Sequence, residues 1–247
     1  MRCRIFAYES ADGPTNMGLD EALLDAVAED PSFALLRTYG WTEPTLSLGY
    51  FQPLAQVHAD PRWHGVSVVR RPTGGGAIWH HHELTYALVV PAAYAQARPA
   101  TALYHAVHSA LAAVLRRHGV EAAARGPGPP AEPATRPFLC FADRDPEDLV
   151  CRGAKIVGSA QRRRSGAILQ HGSMLLRHSP VTPELPGLGD LAGGSTDSRF
   201  WSGIVAAELC AGLGLAGALE EIPARLRQRG VTREREVYRN DAWNRRR

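Results

Sequence analysis

Apolar positions recur along this chain with two different periods. Leu19, Leu23 and Val27 fall at helical spacing behind Asn16, a side chain suited to capping a helix, and Asp30-Pro31 stops the run. Short β-type runs follow at 33–39, 45–50 and 66–71. The segment 78–90 alternates, with Leu84, Tyr86, Leu88 and Val90 on one face, and predicts one continuous strand. A second helix is predicted over 101–118, with Leu103, Val107, Leu111 and Val114 as its buried stripe. Two further β runs, 154–161 and 167–176, flank Arg162-Arg163-Arg164-Ser165-Gly166, which has the chemistry of a hairpin turn. Residues 122–137 carry five prolines within eleven positions and read as a loop, and 197–247 reads as helical. Strands before and between helices, without regular βαβ alternation, predict an α+β fold. The expectation is a single domain over 1–247 with mixed or antiparallel sheets flanked by helices.

Composition narrows the function classes. The 247 residues suffice for one large domain or two small ones, and a hydrophobic share of 45% fills a globular core. A net charge of +3 gives no global field for gripping nucleic acid. The longest uncharged runs are too short to cross a bilayer, and the N-terminal residues lack a signal peptide's apolar stretch. A cytoplasmic protein without membrane or nucleic-acid partners is expected. Cys3, Cys140, Cys151 and Cys210 are widely spaced with no CxxC pair, which suits free thiols in a reducing compartment. One count stands out: Lys155 is the single lysine among 28 basic residues. A coding bias toward arginine explains why lysines are scarce, but not why this one sits where it does.

The candidate chemistry lies in two stretches. Thr73-Gly74-Gly75-Gly76 joins two strand-like runs and is flanked by Arg70, Arg71 and His80. It lacks the G-K-[ST] ending of a P-loop, and a strand rather than a helix follows, so it is no dinucleotide fingerprint. A plain turn needs one or two glycines; three in a row, beside cationic side chains, favour a ligand cradle over a structural turn. Strand alternation would place His80 and His82 on one face and His81 on the other, and no clear third ligand follows, so no metal is expected. One or two of these histidines are expected to orient substrate or neighbouring loops. In the second stretch Lys155 begins a strand whose Gly158, Ser159 and Ala160 are small enough for a ligand to lie against. Cys140 precedes it by fifteen residues, between Phe138 and Phe141. A buried cysteine acting as a small hydrophobe is the ordinary reading, and Cys3, Cys151 and Cys210 keep it. If Lys155 lies close to Cys140, its charge favours thiolate over thiol. Arg162, Arg163 and Arg164 read by default as a solvated hairpin tip, and more sharply as a dock for an acidic partner.

Together these motifs resemble a known superfamily. Arg70-Arg71-Pro72-Thr73-Gly74-Gly75-Gly76-Ala77-Ile78, the stretch ending Glu83-Leu84-Thr85-Tyr86, Lys155-Ile156-Val157-Gly158-Ser159-Ala160-Gln161 and Gln170-His171-Gly172-Ser173 are similar to the biotin/lipoate protein ligases and octanoyltransferases. The nearest resemblance is to the lipoate-protein ligase A-like octanoyltransferases of the LipM type, and it extends over most of the chain. Gly76 follows the ligase form of the loop, and His81 replaces an acidic residue common in both groups. The resemblance implies mixed sheets around an acyl or acyl-adenylate pocket, and two activities share that scaffold. Ligases spend ATP on an acyl-adenylate; transferases take octanoate from a carrier-protein thioester through a cysteine acyl-enzyme, and Cys140-Phe141 stands where they carry the nucleophile.

The activity thereby implied is an octanoyl-[acyl carrier protein]:protein N-octanoyltransferase with Cys140 and Lys155 catalytic. Arg71, Gly74, Gly75, Gly76, His80, Gly158, Ser159, Ala160 and His171 would border the substrate, and Arg162, Arg163 and Arg164 would dock the acceptor. The donor would be octanoyl-acyl carrier protein and the acceptor a lysine of a lipoyl domain or glycine-cleavage H protein, with no metal or cofactor. The rivals are an ATP- and Mg-dependent lipoate or octanoate ligase and a non-catalytic acyl- or lipoyl-domain-binding protein.

Overall fold

The computed structural model describes residues 1–96, 100–127, 137–143 and 145–246. Strand β1 (Arg2–Ala11) leads through α1 (Gly13–Glu29) to β2 (Phe33–Trp41), and β3 (Thr45–Leu48), α2 (Ala55–His58), β4 (Ser67–Arg70) and β5 (Ile78–His80) follow. Next come β6 (Glu83–Pro91), α3 (Ala92–Gln96), α4 (Ala100–Arg117), β7 (Ala123–Ala124), β8 (Leu149–Cys151), β9 (Ala154–Arg164) and β10 (Ala167–Leu175). The remaining elements are α5 (Leu188–Ala192), α6 (Ser198–Gly212), β11 (Ala216–Glu220), α7 (Ala224–Arg233), a π-helical turn (Glu234–Tyr238) and α8 (Asp241–Asn244). One sheet runs in the order β11-β1-β2-β6-β10-β9-β8-β7, and a second, smaller one runs β4-β3-β5. The large sheet is parallel from β11 to β2 and antiparallel from β2 onward, so the expected α+β architecture with a mixed sheet is what the chain forms.

Each face of the large sheet carries a helical layer. On β6 the alternation works as the sequence implies: Leu84, Tyr86, Leu88 and Val90 join Leu103, Val107 and Leu111 of α4 and Trp201, Val205 and Leu209 of α6 in one core. The intervening Ala87 and Val89 join Leu19, Leu23 and Val27 of α1 and Leu226 of α7 on the other side. Burying a leucine in either layer contributes ~1.5–3 kcal/mol. This sandwich also places the chemistry-bearing motifs side by side: β10 pairs Gly172 with Tyr86 on β6 and with Ser159 on β9, and Ser173 with Thr85 and with Gly158.

Several expected elements differ in the structure. Asp12, not Asn16, caps α1, its carboxylate accepting from Thr15 N at 3.0 Å; Asn16 is buried and its amide donates to the carbonyls of Ala11 and Gly40. The run 78–90 is two strands, because β5 pairs with β3 in the small sheet while β6 pairs with β2 and β10 in the large one. The hairpin turn is Ser165-Gly166 alone, both at positive φ (48° and 83°), and the three arginines belong to β9. The region 197–247 includes a strand, β11, beside β1; neither alternates clearly enough to stand out. Of the proline-rich loop 122–137, residues 128–136 lie outside the described residues.

Candidate active site

The glycine loop is built around Arg71. This side chain is buried at 2% exposure and donates from Nη1 to the Ser47 carbonyl and hydroxyl and from Nη2 to the carbonyls of Gly74 (2.8 Å) and Gly76 (2.6 Å). Burial pulls its guanidinium down to about 10, and Nε has no hydrogen-bond partner. Gly75 requires its glycine, with φ of +88°. Gly76 allows a close approach: a Cβ there would lie 2.9 Å from Cys140 N and 3.0 Å from Phe138 O. The approach is fixed by two backbone bonds, Ala77 N to Phe138 O at 2.8 Å and Cys140 N to Ala77 O at 2.7 Å. Leu139 anchors that segment among Leu46, Leu48, Trp63 and Trp79, the core of the small sheet.

Lys155 reaches Cys140 because β9 bulges. Val157 faces Leu149 of β8, yet Lys155 faces Val150, so Ile156 is an extra residue in the ladder. On a regular strand Lys155 and Gly158 would project to opposite faces; here Lys155 folds over Gly158, where a Cβ would stand 2.6 Å from Lys155 Cε. Its Nζ donates to Cys140 O at 2.9 Å and Asp148 Oδ2 at 2.8 Å and lies 3.7 Å from Cys140 Sγ. Burial opposes the ammonium, but its interactions with the neighbouring Cys140 and Asp148 outweigh burial and hold Lys155 above the ordinary lysine range. Burial pushes Asp148 up, so the ammonium is the firmly ionised member of that pair.

Cys140 lines one pocket, and its neighbours Phe141 and Lys155 line a second. The first is predominantly apolar, has a cavity volume of about 40 Å³, and is walled by Met17, Tyr39, Trp41 and Ile78 together with Cys140. Of the residues singled out from sequence, Arg71, Gly75, His80, Gly158, Ser159, Ala160 and His171 also line it. The other, about 220 Å³, is more polar and is bordered by Arg125, Phe141, Asp148, Lys155 and Glu184.

The two histidines at the apolar pocket spend both ring nitrogens on the protein. His80 bonds Glu83 Oε1 and Ser47 Oγ, each at 2.7 Å, and stacks on Trp41 with centroids 3.8 Å apart. Burial lowers its pKa, so it is neutral at pH 7. His171 bonds Thr73 Oγ1 at 2.7 Å and Asp20 Oδ2 at 2.9 Å, which ties the glycine loop to α1. Burial disfavours the Asp20 carboxylate, but Arg37 and His171 outweigh it and hold it below the usual range. His81 and His82 fall in the link between the two sheets, so strand alternation does not sort them. Their rings stack on each other at 3.6 Å, beside Ser179 and Arg177.

The arginine triplet is divided. Arg163 is exposed; Arg162 lies over the Tyr50 ring at 5.2 Å; Arg164 is bonded to Glu21 and Asp25 of α1. Sequence reasoning missed Asp148, which sits in an acidic loop with no periodicity, and Ser47 and Glu83, whose roles depend on contacts between sheets. It gave no role to α8, whose Asn244 accepts from Arg70 N at 2.8 Å while Trp243 Nε1 donates to Arg70 O, clamping the base of the glycine loop.

Residues 12–181 match the family described as the lipoyl protein ligase A/B catalytic domain. The octanoyltransferase LipM of Geobacillus kaustophilus is 41% identical over 169 residues, which are 65% of this chain and 60% of that protein, so the match spans about three fifths of its length. Among solved structures, a putative lipoate protein ligase from T. acidophilum superposes with a TM-score of 0.79 at 21% identity over 99% of each chain. A bi-partite lipoate protein ligase, studied with its E2 lipoyl domain, from Thermoplasma acidophilum gives 0.75 at 20% identity over 99% of this chain and 96% of that one. At these identities the structural likeness is one of fold.

Proposed function

Because this chain belongs to the lipoyl protein ligase A/B catalytic domain family, we propose that it is an octanoyltransferase of lipoate assembly acting through a Cys140 acyl-enzyme. The observation that carries this reading is the position of Cys140, with Sγ 3.7 Å from a buried ammonium and on the wall of an apolar pocket. The Cys140 thiolate attacks the thioester carbonyl of octanoyl-acyl carrier protein, and Lys155 stabilises the oxyanion that develops. The carbon–sulfur bond to the carrier breaks and the carrier leaves as its thiol, taking a proton from water. The alkyl chain lies in the apolar pocket, where each buried CH₂ contributes ~0.8 kcal/mol. Lys155 stays charged, so it does not become the acceptor. A lysine of a lipoyl domain or glycine-cleavage H protein then takes the octanoyl group, approaching past Asp148 and Glu184, with Arg162 and Arg163 available to its acidic surface. The reaction in this form requires neither metal nor nucleotide.

The rival is an ATP-dependent lipoate or octanoate ligase in which Cys140 only fills space. Intact mass spectrometry after mixing with octanoyl-acyl carrier protein separates the two. An octanoyl adduct that disappears in Cys140→Ala supports the transferase. Octanoate-dependent ATP–pyrophosphate exchange that persists in Cys140→Ala identifies the ligase, and saturable binding without turnover identifies a non-catalytic binder.

A further inference from the structure

The transferase chemistry leaves one proton without a destination. A lysine acceptor loses one proton to water before attack, as ammonium becomes amine, and a second as the amide forms. Lys155 is already protonated, and Cys140 returns as a thiolate. His108 of α4 has no part in the scheme so far, yet it is only 2% exposed and its Nε2 lies 2.6 Å from the hydroxyl of Ser159, a wall residue of the apolar pocket.

The hydrogen bonds around it have a single consistent direction. His108 Nδ1 faces the backbone carbonyl of Glu147, which only accepts, so Nδ1 carries the hydrogen. In the neutral ring Nε2 is then an acceptor, and the Ser159 hydroxyl donates to it. Ser159 Oγ in turn receives the Tyr86 hydroxyl at 2.5 Å, and Gln170 Nε2 donates to Tyr86. The groups facing His108 are Tyr104, His105 and Arg116 on its own helix, Asp145 and Glu147 in the loop ahead of β8, and Lys155 on β9. Burial, the dominant influence, lowers the His108 pKa, which keeps the ring neutral and able to accept. Gly172 matters for the same reason: a Cβ there would lie 2.5 Å from Ser159 Oγ. On its other side His108 borders a separate cavity of about 160 Å³, shared with Arg116, Glu147 and the largely exposed His105, which connects it to solvent.

We infer that Ser159 and His108 form the proton outlet of the acceptor step. The inference rests on the acyl-enzyme reading above. As the acceptor amine adds to the octanoyl carbonyl, its proton passes to Ser159 Oγ while the Ser159 hydroxyl proton passes to His108 Nε2. The nitrogen–carbon bond forms, the carbon–sulfur bond breaks, and its electron pair returns to Cys140 Sγ. The His108 imidazolium then releases its proton to water through the outer cavity. His108 acts through Ser159 and is a positioning residue in that sense, with a titration of its own.

The two half-reactions are measured separately in the whole protein, with octanoyl-acyl carrier protein as donor and an isolated lipoyl domain as acceptor. His108→Asn keeps the donor to the Glu147 carbonyl and removes the acceptor nitrogen; Ser159→Ala removes the bridge. Both are expected to acquire the Cys140 adduct, which shows them folded, and to pass it on ~100-fold more slowly than wild type at neutral pH. For His108→Asn the gap narrows only as pH falls beneath the ordinary imidazole range, because burial keeps His108 neutral until then and the protonated ring no longer helps wild type. Transfer within about threefold of wild type, a gap independent of pH, or equal loss of both half-reactions overturns the inference. A wild-type protein that never acquires the adduct overturns the transferase reading instead, and this inference with it.

Discussion

At Gly158 the absence of a side chain has a catalytic consequence. Lys155 occupies the space a Cβ would take, so Gly158→Ala forces the ammonium away from Cys140 while disturbing only the end of a flexible side chain. Stability is expected to fall by up to about 3 kcal/mol, because the displaced ammonium loosens its buried pair with Asp148 although no backbone atom moves. Acyl-enzyme formation is expected to slow ~10-fold or more as the positive charge leaves the oxyanion. Mass spectrometry of the adduct over time and a denaturation curve check the two halves. Wild-type acylation would show that Lys155 has no role at its observed position. Residue types such as a lone lysine, a cysteine beside phenylalanines and a glycine run were legible in the sequence. Asp148 was not, because one carboxylate in an acidic loop differs from a solvated one only through its burial against Lys155.

Elements follow the sequence where each face meets a single core, as on α4 and β6. They depart from it where a strand changes partners. The run 78–90 shows unbroken β character, and only the pairing of β5 with β3 reveals that the chain crosses between sheets at His81-His82. The bulge in β9 is likewise invisible in composition, since Ile156 and Val157 are both buried and resemble any core strand. The β9–β10 hairpin offers a test at this scale. Its turn puts Ser165 at φ 48°, a conformation that asparagine tolerates better than serine, and Asn-Gly is the preferred pair for a two-residue turn with both φ values positive. Ser165→Asn is expected to raise stability by about 0.5 kcal/mol, with acyl transfer unaffected. Urea unfolding measures it, and a destabilised variant would mean that the turn is held by something other than backbone preference.

For the molecule as a whole, the interior between the two sheets is a polar network enclosed in apolar layers. Ser47, Glu83, His80 and Arg71 connect the small sheet to the glycine loop, while Asp20, Arg37 and His171 connect α1 to it. The arrangement makes stability depend on pH. Burial holds His80 and His108 below the ordinary imidazole range, so the unfolded chain takes up these protons near pH 6.5 while the folded chain resists until lower pH. Their contribution is complete above about pH 6.5 and is lost as pH falls through the folded values, at ~1.4 kcal/mol per pH unit for each proton. Lower denaturation midpoints at pH 5.5 than at pH 7.5 are expected, ~2 units being enough to reveal the trend. Equal midpoints would mean that neither ring is held neutral by the fold. No helix among the described residues is long and apolar enough to cross a membrane. Local patterning in the sequence determined the α+β class, the two helical stripes, the hairpin and the residue types at the site, because each depends on neighbours a few positions away. Tertiary structure alone decided that Cys140 meets Lys155, that Arg71 turns inward to hold the glycine loop, and that His108 reaches Ser159 across 51 residues of chain. Those contacts are set by strand register, one bulged residue and burial, which no local pattern encodes.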